Sequence, residues 1–233
     1  MNGIDAFTAI APTYENWFAS PLGAYVDTCE LQALGSVLPA GSANSIIEVG
    51  AGTGHITRFL SRYARHITAV EPSSAMGLEG QRRLADLIRD GRVHWADARA
   101  EQLPYGDNQF DGAVLFTVLE FVEHPDLALG EALRVVRPGG WVIVGVLHAL
   151  SPWVALYRHK ADRGTLPWTA ARFYTREMIE SWMGFPAVQA ETAVYLAPGA
   201  EAPFAAADQA GKWAGNAPAI TILRWEKERW EKE

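Results

Sequence analysis

The chain is short of the residues that mark several protein classes. It has a single cysteine, Cys29, which excludes a disulfide within the chain and any cysteine-rich metal site. It has no run of about 18 apolar residues, and its first residues lack the basic and apolar segments of a secretory signal. No unit of about 20 to 50 residues repeats. These absences favour a cytoplasmic protein without a metal centre.

Positive charge is also scarce. The chain has 20 lysines and arginines against 27 aspartates and glutamates, which gives a formal net charge of −7. Nucleic acids and anionic membranes are usually bound by concentrated basic surfaces. We therefore expect neither as a partner. The hydrophobic content of 49% is enough for the core of one α/β domain of 233 residues.

What the sequence does contain centres on residues 46–60, IIEVGAGTGHITRFL. Apolar residues lead into Gly50, Gly52 and Gly54, and apolar residues at helical spacing follow, which predicts a strand, a tight turn and a helix. Glycine tolerates positive φ and lets the backbone approach a ligand near the free N–H groups of the helix. The spacing fits neither the dinucleotide pattern G-x-G-x-x-G nor a P-loop. The same glycines could also form a tight turn without a ligand.

With Glu48 included, the glycine turn reads E-x-G-x-G-x-G, and it resembles the first motif of the class I S-adenosylmethionine-dependent methyltransferases. The resemblance implies that Glu48 and the three glycines line a site for S-adenosylmethionine. About 20 positions further on, Glu71 ends the second predicted strand, where a carboxylate can accept hydrogen bonds from both hydroxyls of a ribose. Pro72 and Met76 follow it as in the E-P-S-x-x-M continuation of that family.

Three further segments resemble the same family. Asp97 and Ala98 follow strand three, where the family binds the adenine ring. Residues 134–140, RVVRPGG, are close to the family's R-V-L-K-P-G-G turn into strand five. After strand four, Phe116 and Thr117 stand where enzymes that methylate nucleic-acid bases usually carry [DN]-P-P-[YF]. We assign Phe116 and Thr117 to the cofactor site, and this departure weighs against a DNA or RNA substrate.

The resemblance implies a doubly wound, Rossmann-like α/β fold with a seven-stranded sheet, whose seventh strand is antiparallel and lies at the edge. The sequence predicts strands at 45–49, 66–70, 92–95, 112–116, 141–147, 187–196 and 218–225. Long helices are predicted at 4–20, 22–38, 74–89 and 125–136, and a long loop at 198–217. The tail from residue 224, RWEKERWEKE, carries charge pairs typical of a short solvated helix or a frayed end.

We expect a single methyltransferase domain over residues 1–233. Its parts are an N-terminal helical cap (1–40), a cofactor-binding core (45–148), a substrate lid inserted after strand five (149–176) and the C-terminal strands and tail (177–233). In the cap, Tyr14 and Trp17 match an aromatic pattern that lines the pocket in related enzymes. Alternatively, the two rings anchor the helix on the core, as aromatic residues of amphipathic helices often do.

The lid segment is rich in cations and aromatic residues. These are Arg158, Lys160, Arg163, Arg172 and Arg176 together with Trp153, Tyr157, Trp168, Phe173 and Tyr174. Such a set could cover an anionic or aromatic small molecule. It could equally form a solvated helix whose aromatic rings pack on the sheet.

Transfer of a methyl group from a sulfonium requires alignment and exclusion of water more than it requires a catalytic side chain. A base helps when the acceptor is a hydroxyl or a protonated amine, and the candidates are Glu120 after strand four and His148 after strand five. We expect methylation of a small molecule. The alternatives are a regulatory protein that binds the cofactor without turnover and a nicotinamide-dependent oxidoreductase, which the glycine spacing disfavours. Acceptor atom and oligomeric state stay open.

Overall fold

The computed structural model describes residues 3–41 and 43–228, and within them seven strands form one sheet. The strands are β1 Ala43–Val49, β2 Ala64–Val70, β3 Val93–Ala96, β4 Phe110–Phe116, β5 Val136–Leu147, β6 Gln189–Ala193 and β7 Ile220–Glu226. The α-helices are α1 Gly3–Ile10, α2 Asn16–Ala19, α3 Pro21–Val37, α4 His55–Leu60, α5 Ser74–Arg83, α6 Ala85–Arg89, α7 Pro125–Val135, α8 Pro152–Asp162, α9 Arg176–Met183 and α10 Phe204–Trp213.

The sheet has the order β3-β2-β1-β4-β5-β7-β6. Strands β1 to β5 are parallel, and β7 runs antiparallel to both β5 and β6. The predicted doubly wound, Rossmann-like sheet with an antiparallel seventh strand is therefore confirmed. The strand order reverses between β1 and β4, and in open α/β sheets such a point opens a crevice at the carboxyl ends of the strands.

The predicted position of the seventh strand at the edge is wrong. β7 lies between β5 and β6, and β6 forms the edge. Burial explains this order: Ile220–Leu223 of β7 are buried, whereas most of the five residues of β6 are half-buried or exposed. A short polar strand suits the edge of a sheet better than a buried apolar one does.

Two predicted helices are interrupted. The helix predicted at 4–20 is divided into α1, a 3-10 turn at Ala11–Thr13 and α2, because Pro12 lacks the N–H that a continuous helix needs. The helix predicted at 74–89 breaks at Leu84, whose backbone leaves the helical region where its side chain packs against Gly54. The boundary at Ser20 holds, since its hydroxyl caps α3 by accepting a hydrogen bond from the Gly23 amide at 3.0 Å.

The long loop predicted at 198–217 is also wrong, because it contains α10. Glycine and proline residues made the segment look irregular, but α10 is rich in alanine, the strongest helix former. The helix packs closely on the Tyr195 carbonyl oxygen at Gly211, where an added Cβ would lie 2.2 Å from that oxygen. This contact requires a glycine inside the helix. Asp208 of α10 also holds the helix against this segment by accepting a hydrogen bond from the Leu196 amide at 2.9 Å.

Buried side chains cover both faces of the sheet. One cluster joins the sheet to α3, α4 and the α5–α6 region, and the other joins it to α7 and α9. Among the described helices, none combines the length and hydropathy needed to cross a bilayer. The charge pairs predicted for the tail involve residues 231 and 232, which lie outside the described residues.

Candidate cofactor and substrate site

A cavity of about 480 Å³ opens over the carboxyl ends of β1, β2, β4 and β5. Its floor is the glycine turn and the strand ends, and its roof is formed by the N-terminal helices, α3, α8 and residues 166–168. The volume is within the range of about 300 to 1,000 Å³ typical of small-molecule sites. Of the predicted site residues, the cavity is lined by Tyr14, Glu48, Gly50, Gly52, Glu71, Pro72, Met76, Phe116 and Thr117.

The glycine turn presents bare backbone to this cavity. Gly50 and Gly52 both have positive φ, +76° and +55°. An added Cβ at Gly50 would come within 2.4 Å of the Val118 side chain. At Gly52 the nearest atom to such a Cβ is the terminal methyl of Met76 at 3.6 Å, so the space beside this residue is open toward the cavity.

Glu71 connects the two ends of the predicted cofactor site. One carboxylate oxygen, Oε2, accepts a hydrogen bond from the Gly52 amide at 2.9 Å, and the other, Oε1, accepts from the Ser73 amide at 2.8 Å. Burial raises the pKa of this carboxyl and the two amides lower it. Each oxygen retains a lone pair for a further donor, so Glu71 can hold the turn and accept from a ligand's hydroxyls at the same time.

Glu48 has a buried acceptor without a partner. Its Oε2 atom has no hydrogen bond in the structure, although the residue is 2% exposed and lines the cavity. Burial raises the pKa of Glu48 to about 8, and the neighbouring Thr57 hydroxyl opposes this rise. An unpaired buried carboxylate oxygen is costly. Its position beside Gly50 fits a ligand that carries a positively charged group.

Three residues predicted for the cofactor site do not line the cavity. Gly54 begins α4 with φ +76°, and an added Cβ would lie 2.6 Å from the Leu84 side chain, so Gly54 serves packing between α4 and the end of α5. Asp97 is exposed and Ala98 is half-buried beyond the end of β3. Asp97 is still near enough to Glu71 for its charge to raise the pKa of Glu71.

Backbone strain occurs where β4 enters the cavity. Thr117 has φ +54°, a conformation that is costly for a β-branched residue. Its amide donates to the Gly145 carbonyl at 2.7 Å, and its hydroxyl donates to the Phe116 carbonyl at 2.8 Å. These bonds hold the strained residue on the cavity wall.

The N-terminal segment is fixed over the cavity by rings and by one carboxylate. Phe7 contacts the edge of Phe121 with ring centroids 4.7 Å apart, and Tyr14 lies 6.0 Å from Phe7. Glu15 accepts hydrogen bonds from the Thr53 hydroxyl and from Arg83. Because Thr53 belongs to the glycine turn, Glu15 links the cap directly to the predicted cofactor site.

The lid segment supplies aromatic rings to the cavity rather than a cationic surface. Trp153, Tyr157 and Trp168 line it, and the Tyr157 and Trp168 rings stack 3.6 Å apart. Of the five lid cations, Lys160 alone is in the cavity lining. The other four are directed elsewhere or exposed: Arg158 lies over Phe173, Arg163 is exposed, Arg172 donates to the Glu123 carbonyl, and Arg176 pairs with Glu180.

Helix α3 brings an acidic pair to the roof. Asp27 contacts His55 at 2.6 Å, and the His55 ring stacks on Phe18 at 4.4 Å. Glu30 lies one helical turn after Asp27 and also lines the cavity. Among the described residues, Glu30 makes no side-chain hydrogen bond or ion pair, and burial followed by the Asp27 charge raises its pKa to about 8.

Neither candidate base lines the cavity. Glu120 is fully buried, and its Oε1 accepts from the Leu147 amide at 2.6 Å while Oε2 has no partner. Burial raises the pKa of Glu120 to about 7. His148 is half-buried, and its Nδ1 lies 3.3 Å from the Leu150 amide. The geometry favours a role for both residues in holding the ends of β4 and β5.

Sequence reasoning missed Asp27, Glu30 and His55, which belong to the cavity lining. A helical-face argument could have found the first two. Asp27 and Glu30 are three residues apart, so they lie on one face of α3, next to the buried Val26. No group of three or more candidate metal ligands is found in the part of the chain that the structure describes.

Comparison with known proteins places these features in a family. Residues 47–144 match the model of a methyltransferase domain. The fold also matches the crystal structure of a Thermotoga maritima S-adenosylmethionine-dependent methyltransferase, described as a possible histamine N-methyltransferase. The match has a TM-score of 0.73 and 25% sequence identity, and it covers 96% of this chain and 99% of the Thermotoga maritima chain.

Two curated relatives illustrate how far the sequence similarity extends. An uncharacterized protein of Methanocaldococcus jannaschii is 26% identical over 82% of this chain and 86% of the relative. The ubiquinone/menaquinone biosynthesis C-methyltransferase of Pseudomonas paraeruginosa is 34% identical over 44% of this chain and 41% of the relative. The chain is also 28% identical to uncharacterized proteins of Mycobacterium bovis and Mycobacterium tuberculosis, and it spans 63% of their length.

The segment that matches the methyltransferase model contains the glycine turn, Glu71, strands β2 to β4 and parts of β1 and β5. An orphaned carboxylate oxygen, a glycine backbone that lines the cavity and an acidic residue at the end of β2 all fit a ligand that carries an ammonium group and a ribose. The matched domain, the sheet order and this geometry show a methyltransferase domain with the fold of the class I S-adenosylmethionine-dependent methyltransferases.

Proposed function

We propose that this protein transfers the methyl group of S-adenosylmethionine to a small molecule bound between the glycine turn and the aromatic roof. The observation that carries the proposal is the cavity itself, which is continuous from the glycine turn to Tyr157 and Trp168. The floor has most of the residues expected for the cofactor, and the roof adds aromatic rings that the cofactor assignment does not use. The cofactor supplies an electrophilic methyl group, so the protein has to align the acceptor and exclude water.

The residues of the turn have distinct parts in this proposal. Glu71 accepts from the ribose hydroxyls, and Glu48 receives the ammonium group of the methionine part. The open backbone at Gly52, next to Pro72 and Met76, provides the surface on which the cofactor lies. Asp97 and Ala98 bind the adenine end, at the margin of the cavity.

Tyr14, Phe116 and Thr117 complete the proposed cofactor site. The Tyr14 side chain lines the cavity from the roof, and burial followed by the charge of Glu15 raises its pKa, so the hydroxyl stays protonated as a donor. Phe116 and Thr117 line the cavity from the strand ends. The acidic lining and aromatic rings favour a small molecule over a polyanion.

Isothermal titration with S-adenosylmethionine and S-adenosylhomocysteine tests the proposal. We expect Glu71→Gln to weaken binding by at least about tenfold, because a charged acceptor of hydroxyl hydrogen bonds is lost. Glu79→Gln is the control, since Glu79 pairs on the surface with Arg82. Absence of binding by the folded wild-type protein would refute the proposal.

A second measurement separates turnover from binding alone. A regulatory protein on this fold would bind S-adenosylmethionine without releasing S-adenosylhomocysteine in the presence of any acceptor. An active enzyme would release it when a panel of small molecules contains an acceptor. Release can be followed by mass spectrometry, with the Glu71→Gln variant as the background.

A further inference from the structure

The roof of the cavity combines a carboxylate with stacked aromatic rings. Glu30 enters it from α3, Tyr157 from α8, and Trp168 from the segment after α8. The charge of Glu30 raises the pKa of both Tyr14 and Tyr157, so the two phenol rings lie within electrostatic reach of this carboxyl group.

The carboxyl group of Glu30 is not used by the protein. Asp27, its neighbour on α3, contacts His55, whereas Glu30 has no hydrogen bond or ion pair to another described residue. Lys160 lines the same cavity, but its ammonium group lies over the Tyr157 ring, 5.9 Å from the centroid, and forms no ion pair with Glu30. A half-buried carboxyl without a partner is costly to ionise, and a bound cation would offset that cost.

The charge of the residues that line the cavity also disfavours an anionic ligand. The acidic residues of the cavity are Asp27, Glu30, Glu48, Glu71 and Glu101. The lysine and arginine residues of the lining are Lys160 and Arg99, and Arg99 already pairs with Glu101 and Glu123. The cation-rich sequence of the lid suggested an anionic ligand, but most of those cations lie outside the cavity.

We propose that the small molecule bound by this enzyme is a protonated amine with an aromatic or apolar body. Its ammonium group binds the carboxylate of Glu30, and its body lies against the stacked rings of Tyr157 and Trp168. Carboxylates and aromatic faces both attract an ammonium ion, the first through a charge-assisted hydrogen bond and the second through the ring quadrupole. This inference rests on the proposed function, because it names the substrate class of the same site.

Isothermal titration of the protein saturated with S-adenosylhomocysteine tests the inference. The probes are phenethylamine, its neutral counterpart 2-phenylethanol, and the anionic 3-phenylpropionate. We expect the amine to bind at least about tenfold more tightly than the alcohol, since it adds a hydrogen bond between charged groups. In Glu30→Gln this preference should disappear, while Glu79→Gln on the surface should keep it.

Four results would overturn the inference. These are equal affinity for the amine and the alcohol, no binding of the amine, tighter binding of 3-phenylpropionate, and an amine preference that survives in Glu30→Gln. Loss of S-adenosylhomocysteine binding in Glu30→Gln would assign this residue to the cofactor instead, and would also overturn it.

The same titrations distinguish this inference from the proposed function. If S-adenosylhomocysteine fails to bind the folded wild-type protein, the proposed function falls and the inference falls with it. If S-adenosylhomocysteine binds and no amine preference is found, the inference alone is wrong.

Discussion

Gly54 and Gly91 adopt nearly the same backbone conformation, with φ of +76° and +69°, but their surroundings differ. An added Cβ at Gly91 would meet nothing within 4 Å, whereas at Gly54 it would lie 2.6 Å from Leu84. Gly91→Ala should therefore cost only the left-handed conformation, about 1 to 2 kcal/mol. We expect Gly54→Ala to cost about 1 to 3 kcal/mol more through overpacking.

Urea denaturation of the two variants measures this difference directly. Equal losses of unfolding free energy would show that Leu84 moves aside without cost, and that Gly54 is required for its backbone conformation alone. The comparison matters for the site because Gly54 belongs to the glycine turn without lining the cavity.

Most residues of the glycine turn could be located from sequence, since their spacing fixes both the strand end and the backbone conformation. Glu71 could be located too, because the end of the second strand follows from the length of the helix between them. The difference between Gly52 and Gly54 could not be predicted. It depends on Leu84, which is distant in sequence and which contacts Gly54 only in the folded chain.

At the scale of elements, the cap is connected to the core through Glu15. This residue accepts from Thr53 in the glycine turn and from Arg83 in α5. Loss of a charge-assisted hydrogen bond costs about 1.5 to 3 kcal/mol, and the low end applies here because the Arg83 side chain is 40% exposed. In Glu15→Ala, amide exchange in residues 3–19 should therefore be about tenfold faster.

Hydrogen exchange with mass spectrometry measures this change, and calorimetry of the same variant should show weaker S-adenosylhomocysteine binding. Glu79→Ala serves as the control, because it removes a surface pair within α5 and leaves the cap untouched. Unchanged exchange in residues 3–19 would show that the ring contacts of Phe7 and Tyr14 hold the cap without Glu15.

Elements with strong local patterns could be predicted, and elements stabilised by distant contacts could not. The capped start of α3 follows from Ser20 and Pro21, which act within one turn. Helix α10 was missed because its position depends on the contact between Gly211 and Tyr195, which lie 16 residues apart. The edge position of β6 was missed for the same reason, since strand order is a property of the whole sheet.

At the scale of the molecule, three carboxyl groups with strongly raised pKa values make stability depend on pH. Burial raises the pKa values of Glu30 and Glu48 to about 8 and that of Glu120 to about 7. A raised folded-state pKa means that the folded protein binds more protons than the unfolded chain between about pH 4.5 and 8. The free energy of unfolding should therefore fall as pH rises through this window.

Calorimetric melting without cofactor should give a lower Tm at pH 8.5 than at pH 5.5. Glu120→Gln should reduce the difference, because it removes one of the three groups and keeps the volume of the side chain. Carboxyl groups with lowered pKa values, such as Asp111 and Glu131, act at lower pH and do not oppose the trend in this window. A Tm that rises toward pH 8.5 would contradict the assignment.

The position of β7 between β5 and β6 affects how the chain can fold as it leaves the ribosome. Within the described sheet, β6 pairs only with β7, although β6 is made first. Strands β1 to β5 can assemble as soon as they emerge, but β6 must wait for the last strand before it gains its hydrogen bonds. The cofactor half of the molecule can thus form during synthesis, and the far edge of the sheet closes only after β7 has been made.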